Sequence, residues 1–323
     1  MLPNMAARRD ARVWLALVTV YLVWGSTFIA LAIVVRDLPP FLAMAMRHLI
    51  AGSFLLAFAL PRGRGEGDRI GWAQIRAGLV FGGLLFLVSH GGLAWAQQTV
   101  PAGVAALLAG SIPIWMALLD RVAFGRRLPA SAYAGFALGF AGLAFLVDPF
   151  GEGSVDRTGA LVVIFGAFCW AAGSLYSRGA QLPSRPLVAA GLGSLCGGVL
   201  LLVVAVASGE LGRADFTAEA LLALGYLIVV GSFVGFTAYV WLLRVAPISL
   251  VATYAYVNPI VAVLLGWVLL DEEITLQVAA AGAAVVVAVA LIVRKSGSAV
   301  EPGRGLFRRE RPPAATPVPE SGA

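Results

Sequence analysis

Arg47 and His90 are the two residues of this sequence whose chemistry contrasts most with the apolar stretches around them. Arg47 lies seven residues after Pro40, in a stretch rich in Leu, Ala, Phe and Met. A charge within a lipid-spanning helix costs up to ~3 kcal/mol unless it is paired, reaches the interface or faces water. Two interpretations therefore stay open. Arg47 contacts a carboxylate or another anionic group, or it bonds helix-end carbonyls or extends to the interface.

His90 lies about two helical turns from the end of the third apolar stretch. An imidazole at this depth could bind a ligand or exchange a proton near neutral pH. A histidine that is hydrogen-bonded within packed helices is the simpler interpretation, and we favour it. His48 directly follows Arg47 but points ~100° away around a helix, which makes it the weaker candidate.

Aromatic and polar side chains complete the candidate binding set. Trp24 and Trp170 lie near the middles of the first and sixth stretches, too deep for an interfacial aromatic belt. They could stack on a flat or apolar ligand, or pack against other helices. No residue is assigned a catalytic or metal-binding role, and no cofactor is expected. The remaining substrate-binding candidates are Thr27, Tyr239, Tyr256 and Asn258.

The composition indicates a membrane protein. Of the 323 residues, 60% are hydrophobic and 12% charged, and the mean hydropathy is +0.90, far above that of a soluble domain. The sequence pI is near 9.8, but the basic residues separate apolar stretches instead of forming one patch, so nucleic acid is not expected as a partner. The two cysteines, Cys169 and Cys196, lack metal-ligand spacing.

Ten apolar stretches bounded by charges, Gly and Pro predict ten transmembrane helices. Most have the ~17–25 residues that a helix needs to cross a bilayer, whereas barrel strands are ~10 residues long and alternate polar with apolar. The segment 295–323 is poor in apolar residues, and we expect it to be disordered. The predicted spans are 13–35, 40–60, 75–96, 101–119, 130–147, 158–178, 186–207, 218–242, 249–269 and 275–294.

The basic residues predict the orientation of these spans. With the amino terminus in the cytoplasm, 19 basic residues fall on the cytoplasmic side and three on the other side. This distribution follows the positive-inside rule and predicts that both termini are cytoplasmic. A single lysine among 23 basic residues suggests a GC-rich bacterial genome, so the expected location is a bacterial inner membrane, with lipid as the surrounding partner.

The two halves of the chain share a layout at a constant spacing of 146 residues. Pro101 corresponds to Pro247, and Pro113 to Pro259, which predicts a duplication. Five spans per half force the second copy to enter from the opposite side, so the copies are inverted repeats. The predicted parts are a cytoplasmic segment 1–12, repeats 13–147 and 158–294, and the tail. A proline inside a span frees a backbone carbonyl. Pro113 and Pro259 therefore mark gating kinks or static kinks.

Short motifs carry a family resemblance. The sequence reads WGSTFIA at 24–30, RHLIA at 47–51 and LDEEITLQ at 270–277. Together with the two prolines, these motifs resemble the EamA repeats of the drug/metabolite transporter superfamily over residues 12–294. The resemblance implies a ten-helix transporter of amino acids, other metabolites or drugs. Its central cavity would be lined by the first four helices of each repeat.

One turn departs from the family pattern. EamA repeats usually carry Glu between their fourth and fifth helices, and the second repeat keeps it as Glu272, but the first repeat has Arg126. We interpret the charge of this turn as a mark of membrane topology, since basic residues stay on the cytoplasmic side.

The sequence thus predicts a secondary transporter or facilitator that exports a small metabolite such as an amino acid by alternating access. The direction rests on the resemblance alone. A multidrug exporter is the main alternative, but no buried carboxylate is placed for exchanging a drug cation with a proton. A receptor or scaffold that binds without transport, and a membrane enzyme, are further alternatives. The motifs of common hydrolases and ATPases are missing. Substrate identity, coupling ion and oligomeric state stay open.

Overall fold

A computed structural model describes residues 4–62, 69–125, 130–147, 155–246, 248–251 and 253–296. Eight helices in these ranges are long and apolar enough to cross a membrane, and two further apolar helices, Tyr254–Leu270 and Leu276–Ile292, are shorter. Ten helices in this part of the chain confirm the predicted all-α membrane fold. Most of the tail that we expect to be disordered, residues 297–323, lies outside the described ranges.

The ten helices are numbered α1 to α10 in chain order. Helix α1 begins at Asn4, and its candidate membrane span begins at Ala11, two residues before the start at 13 that the sequence predicted. The first repeat contains α1 Asn4–Asp37, α2 Pro40–Ala59, α3 Trp72–Ala96, α4 in two pieces, Ala102–Ala109 and Ile112–Phe124, and α5 Ala130–Val147. The second contains α6 Arg157–Tyr176, α7 Pro186–Ala207, α8 in three consecutive pieces, Ala218–Tyr226, Leu227–Val234 and Gly235–Val245, α9 in two pieces, Ile248–Val251 and Tyr254–Leu270, and α10 Leu276–Ser296.

At one end of the bundle, which we call the far face, hydrogen bonds link the loops between the helices and the helix ends next to them. The carboxylate of Asp156 begins α6 as a helix cap and also accepts from Thr99 Oγ1 at 2.6 Å. This hydrogen bond holds the pKa of the Asp156 carboxyl below its usual value. The bond between Thr99 and Asp156 joins the two repeats, and so do three others at this end. The other pairs are Asp37 with Thr217, Leu42 with Glu210, and Ala102 with Glu272.

The opposite end, where α1 begins and α10 ends, is the terminal face. It carries basic side chains that also join the repeats. Arg178 Nη1 lies 3.3 Å from Asp120 Oδ1, and Arg185 Nη1 donates to the carbonyl of Ala59 at the end of α2 at 3.0 Å. Tyr21 also contacts Thr253 near this end.

Helices α2 and α7 occupy the same place in the two repeats and pack on each other. A Cβ atom added to Gly52 would lie 2.7 Å from the backbone N of Leu195, and one added to Gly198 would lie 2.9 Å from the backbone N of Leu49. Leu195 and Gly198 lie 146 residues after Leu49 and Gly52, so the same contact is made twice. Reciprocal contacts of this kind define a two-fold axis. The predicted pair of inverted repeats is therefore confirmed.

The third helix of each repeat contains a π-helical segment. It spans Gly83–Gly91 in α3 and Leu227–Val234 in α8. Shifting the first segment by 146 residues gives 229–237, which overlaps the second. Segments of this kind are frequent at functional sites because they turn side chains away from the regular helical register.

The fourth helix of each repeat is broken, but the two breaks differ by about one turn. Helix α4 is interrupted at Gly110 and Ser111, and Pro113 is the second residue of its second piece. Helix α9 is interrupted before Tyr254, and Pro259 lies inside the continuous piece Tyr254–Leu270. Gating by these helices stays a prediction.

Candidate functional site

Arg47 extends from α2 towards the π segment of α8. Its Nε lies 3.5 Å from Ser232 Oγ, and its side chain is half-buried. A Cβ atom added to Gly231 would lie 3.5 Å from Arg47 Nη2 and 3.0 Å from the methyl carbon of Thr27. The lack of a side chain at Gly231 therefore lets α1 and α2 bring Thr27 and Arg47 to the same surface of α8.

Three aromatic rings form a cluster next to this surface. The ring of Trp24 lies 5.1 Å from Tyr239 and 5.1 Å from Tyr254, and the two tyrosine rings are 5.7 Å apart. Trp24 is one turn from Thr27, whose hydroxyl donates to the Trp24 carbonyl at 2.6 Å. Gly235 gives the indole room, since a Cβ there would lie 2.5 Å from Trp24 Nε1. We call Arg47, Thr27, Ser232 and these three aromatic residues the arginine site.

The arginine site combines a cation, hydroxyl groups and aromatic surfaces. Guanidinium groups bind carboxylates through charge-assisted hydrogen bonds, often two in parallel. Aromatic rings offer an apolar surface together with the polar edge of a tyrosine or tryptophan. A second hydroxyl pair, Ser26 with Tyr226 at 2.6 Å, also joins α1 to α8. This set of groups suits a small molecule that carries a carboxylate and an apolar part.

A second polar cluster lies on a different side of α2. His48 Nε2 lies 3.0 Å from His90 Nδ1, and His48 Nδ1 lies 3.1 Å from Ser194 Oγ. The Ser194 hydroxyl donates to the His48 carbonyl at 3.2 Å, so its oxygen accepts from His48 Nδ1. His48 Nε2 then accepts from His90. The ring of His90 stacks on Trp170 with centroids 5.0 Å apart. These four residues are the histidine site.

The histidine site lies on the two-fold axis, because Ser194 follows His48 by 146 residues. Arg47 and His48 are neighbours in sequence but face different sides of α2, one towards α8 and the other towards α3 and α7. His48, which the sequence ranked as the weaker candidate, is 4% exposed and has a polar partner on each ring nitrogen. The spacing to Ser194 was the signal that could have identified it.

The predicted site residues divide into three groups. Trp24, Thr27, Arg47 and Tyr239 meet in the arginine site, while His90 and Trp170 meet in the histidine site. Tyr256 points to another part of the bundle, since its hydroxyl donates to the Val289 carbonyl of α10 at 3.2 Å. Asn258 is buried, and its Oδ1 has no hydrogen-bond partner among the described residues. Pro259, next to it, packs against Gly110 of α4. The sequence did not single out Tyr226, Ser232 or Ser194 as site residues.

No cluster of three or more His, Cys, Asp or Glu residues that could hold a metal ion occurs in the part of the chain that the structure describes. Both cysteines are buried there and unpaired in disulfides. Trp95 and Trp241, which correspond in the two repeats, are each 37% exposed near helix ends. Their positions suit the aromatic belt that forms at membrane interfaces.

Two inverted five-helix repeats with polar sites between them are typical of membrane transporters. A family profile described as the EamA-like transporter family matches residues 12–148 and 157–294. The chain belongs to the EamA-like transporter family, which confirms the resemblance noted in its motifs.

Known proteins with related sequences are named as transporters. The chain is 36% identical over 252 residues to the uncharacterized inner membrane transporter YedA of Escherichia coli K12, with 78% of this chain and 80% of that protein covered. It is 26% identical over 287 residues to a probable amino-acid metabolite efflux pump of the same strain, covering 79% and 86%. A solved crystal structure with 24% identity covers 87% of this chain and 96% of the other at a TM-score of 0.59, and it shows the same fold.

Proposed function

We propose that this protein is a secondary transporter of a bacterial inner membrane that exports a small carboxylate-bearing metabolite such as an amino acid. Arg47 carries this proposal, because it places a cation at Thr27, Ser232 and the aromatic cluster. The carboxylate would bind the guanidinium, and the apolar part of the metabolite would contact Trp24 and Tyr239. The relative named as an amino-acid metabolite efflux pump supports both the substrate class and the direction.

The two inverted repeats supply the means of transport. The arginine site lies between α1 and α2 of one repeat and α8 and α9 of the other, so a relative movement of the repeats can expose it to one face and then to the other. Binding and release need no covalent step, and we assign the protein no catalytic residue. The excess of basic residues at the terminal face supports a cytoplasmic location for that face and both termini.

A proton-coupled exchange of drug cations, the main alternative, receives no support from the spans. Within the described residues, the acidic side chains inside the candidate spans are Asp37, Asp120 and Glu219, and all three lie near helix ends. An exchanger of this kind generally uses a carboxylate in the middle of the membrane.

Counterflow in proteoliposomes tests the proposal. Vesicles loaded with an unlabelled amino acid should accumulate the labelled one, in a panel that covers aromatic, aliphatic, acidic and basic side chains. We expect Arg47→Ala to lower transport by about 10–100-fold, because a charge-assisted hydrogen bond contributes ~1.5–3 kcal/mol and each 1.4 kcal/mol is tenfold. Arg47→Lys should retain part of the activity, since it keeps the charge but loses the planar fork.

Arg36→Ala is the matched control. Arg36 is an exposed arginine at the far face, 3.9 Å from Glu219, and exposed pairs contribute little. Its removal should leave transport near the wild-type rate. Equal losses of transport and of folded protein in Arg47→Ala would contradict a binding role for Arg47. The absence of counterflow with every amino acid would contradict the proposed substrate class.

A further inference from the structure

Glu272, in the turn between α9 and α10, caps the first residues of α4 in the other repeat. Its Oε1 accepts from the backbone N of Ala102 at 2.5 Å, and its Oε2 accepts from that of Gly103 at 2.9 Å. The first amides of a helix lack partners within the helix, and the helix dipole favours a negative charge beside them. Two charge-assisted bonds therefore join one helix of each repeat at the far face.

The backbone around this contact is shaped to admit the carboxylate. Asp271 has a positive φ of 55°, and the backbone N of Glu272 donates to the Gly266 carbonyl at 3.1 Å, which turns the chain back over α9. A Cβ atom on Gly266 would collide with the Glu272 carboxylate. A Cβ on Gly103 would lie 3.2 Å from Glu272 Oε2 and 3.0 Å from Cα of Val263. Glycine at both positions lets α4, α9 and the carboxylate approach closely.

Helices α4 and α9 meet below this contact and separate further along. The first piece of α4 packs on α9, with Gly103 next to Val263 and Gly110 next to Pro259. The second piece of α4, which leads to the terminal face, makes its main contacts with α6 and α10. The α4–α9 seam is therefore closed at the far face, and the two helices diverge towards the terminal face.

The residues that correspond to Glu272 and Glu210 in the first repeat are not carboxylates. The position equivalent to Glu272 in the first repeat is Arg126, 146 residues earlier in the sequence and outside the described residues. Glu210 accepts from the backbone N of Leu42 at the start of α2 and is 3% exposed. Its equivalent in the sequence, 146 residues earlier, is again an arginine, Arg64, which also lies outside the described residues. A guanidinium group has no hydrogen-bond acceptor, so arginine cannot cap the amino end of a helix as a carboxylate does.

We propose that Glu272 is a latch that keeps the α4–α9 seam closed at the far face, and that arginine at position 126 denies the terminal face the equivalent latch. This proposal rests on the alternating access proposed above. At rest the protein then favours the state that opens to the terminal face. A substrate that enters from that face and leaves at the far face must break the Glu272 contact during each cycle.

Thiol labelling of the seam tests the latch without any substrate. Ala106 is 1% exposed and lies on α4 between Gly103 and Gly110, the two positions that face α9. In a protein with Cys169→Ala and Cys196→Ala, Ala106→Cys provides a single buried thiol. A charged, membrane-impermeant methanethiosulfonate added from the far face of oriented vesicles should label it slowly.

Glu272→Ala should raise the labelling rate by about tenfold or more, and Glu272→Gln by less, because the amide oxygen still accepts one bond. Glu273→Ala is the control: this neighbouring carboxylate has the same charge and turn, but its side chain is exposed. It should label at the parent rate. Thermal unfolding of each variant shows whether the labelled population is folded.

A further variant tests the difference between the two faces. Arg126→Glu places a carboxylate at the equivalent position and should let the terminal face close, so labelling of Ala106→Cys from the far face should rise even with Glu272 intact. Glu272→Ala that unfolds at lower temperature but labels at the parent rate would overturn the latch and leave a structural cap. Labelling as expected without amino-acid counterflow would instead contradict the proposed substrate alone.

Discussion

His48 holds polar partners on both of its ring nitrogens while it is almost fully buried. His48→Leu would leave Ser194 Oγ and His90 Nδ1 without these partners. Leaving a buried polar group without a hydrogen bond costs ~1–3 kcal/mol, and we expect the free energy of unfolding to fall by about this amount. Denaturant titration of the purified protein in detergent micelles measures the change.

Ser194→Ala is the matched comparison, since it removes the hydrogen bonds between Ser194 and His48 but leaves the pair of histidines in contact. Its destabilisation should be clearly smaller than that of His48→Leu. A His48→Leu protein as stable as the parent would show that the histidine site contributes nothing to the packing of α2, α3 and α7.

The arginine site could be predicted in part, because a charge such as Arg47 stands out in an apolar stretch. Ser232 does not stand out, since a serine in a membrane helix is common and its role depends on which way it faces. The π segment of α8 decides that direction, and the regular helical period used for sequence patterns does not describe it. Adjacent residues on α2 were expected to diverge, and they do. The sequence could not show that the side of α2 to which His48 points also carries a polar site.

Helices α2 and α7 approach so closely at Gly52 and Gly198 that the backbone of one meets the other. We expect Gly52→Ala to force the helices apart and to cost ~1–3 kcal/mol, the usual range for overpacking. Because the contact is repeated by the two-fold axis, Gly198→Ala should cost about as much. Thermal unfolding, monitored through the reaction of the buried cysteines with a thiol-reactive dye, measures the stability of both variants.

Gly225→Ala is the control for these two substitutions. Gly225 lies inside a helical piece of α8, and a Cβ atom there would meet no other heavy atom within 4 Å. Alanine is favoured over glycine within a helix by roughly 0.5–1 kcal/mol, so this variant should be as stable as the parent or more so. A large loss in all three variants would attribute the effect to glycine content and not to the crossing.

The helices themselves were predictable, because their apolar stretches have the length that a bilayer demands. Their irregularities were less so. Pro113 indicated a break in α4, and the chain breaks within a few residues of it. Pro259 suggested an equal break in α9, yet the helix passes through it, and the interruption lies about one turn before the position that corresponds to the break in α4. A proline removes one hydrogen bond, but neighbouring helices decide where the chain separates.

The whole molecule should lie in the membrane with its terminal face in the cytoplasm. Alkaline phosphatase fused after Glu273, at the far face, should be active, because this enzyme needs the disulfides that form in the periplasm. The same enzyme fused after Ser177, at the terminal face, should be inactive, and a fluorescent protein at the carboxyl terminus should fluoresce. Activity after Ser177 together with inactivity after Glu273 would reverse the orientation.

At this scale the sequence was most informative. The offset of 146 residues and the odd number of spans per repeat predict inversion, and the reciprocal contacts of Gly52 and Gly198 show it. The offset could not show which residues meet across the axis, because that depends on where the helices cross. Glu272 illustrates the limit, since its charge was interpreted as a mark of topology and the structure shows it bound to the amides of α4.

The arginine site occurs once in a bundle whose backbone is nearly the same twice. Gly193 occupies the position equivalent to Arg47, and the ring of Phe81 covers it. Two identical chains assembled in opposite orientations would have carried two such arginines or none, because every substitution would appear in both copies. Because the two repeats of this chain have separate sequences, one half can carry an arginine where the other has a glycine. Separate sequences for the two repeats therefore allow the two halves to have unequal roles.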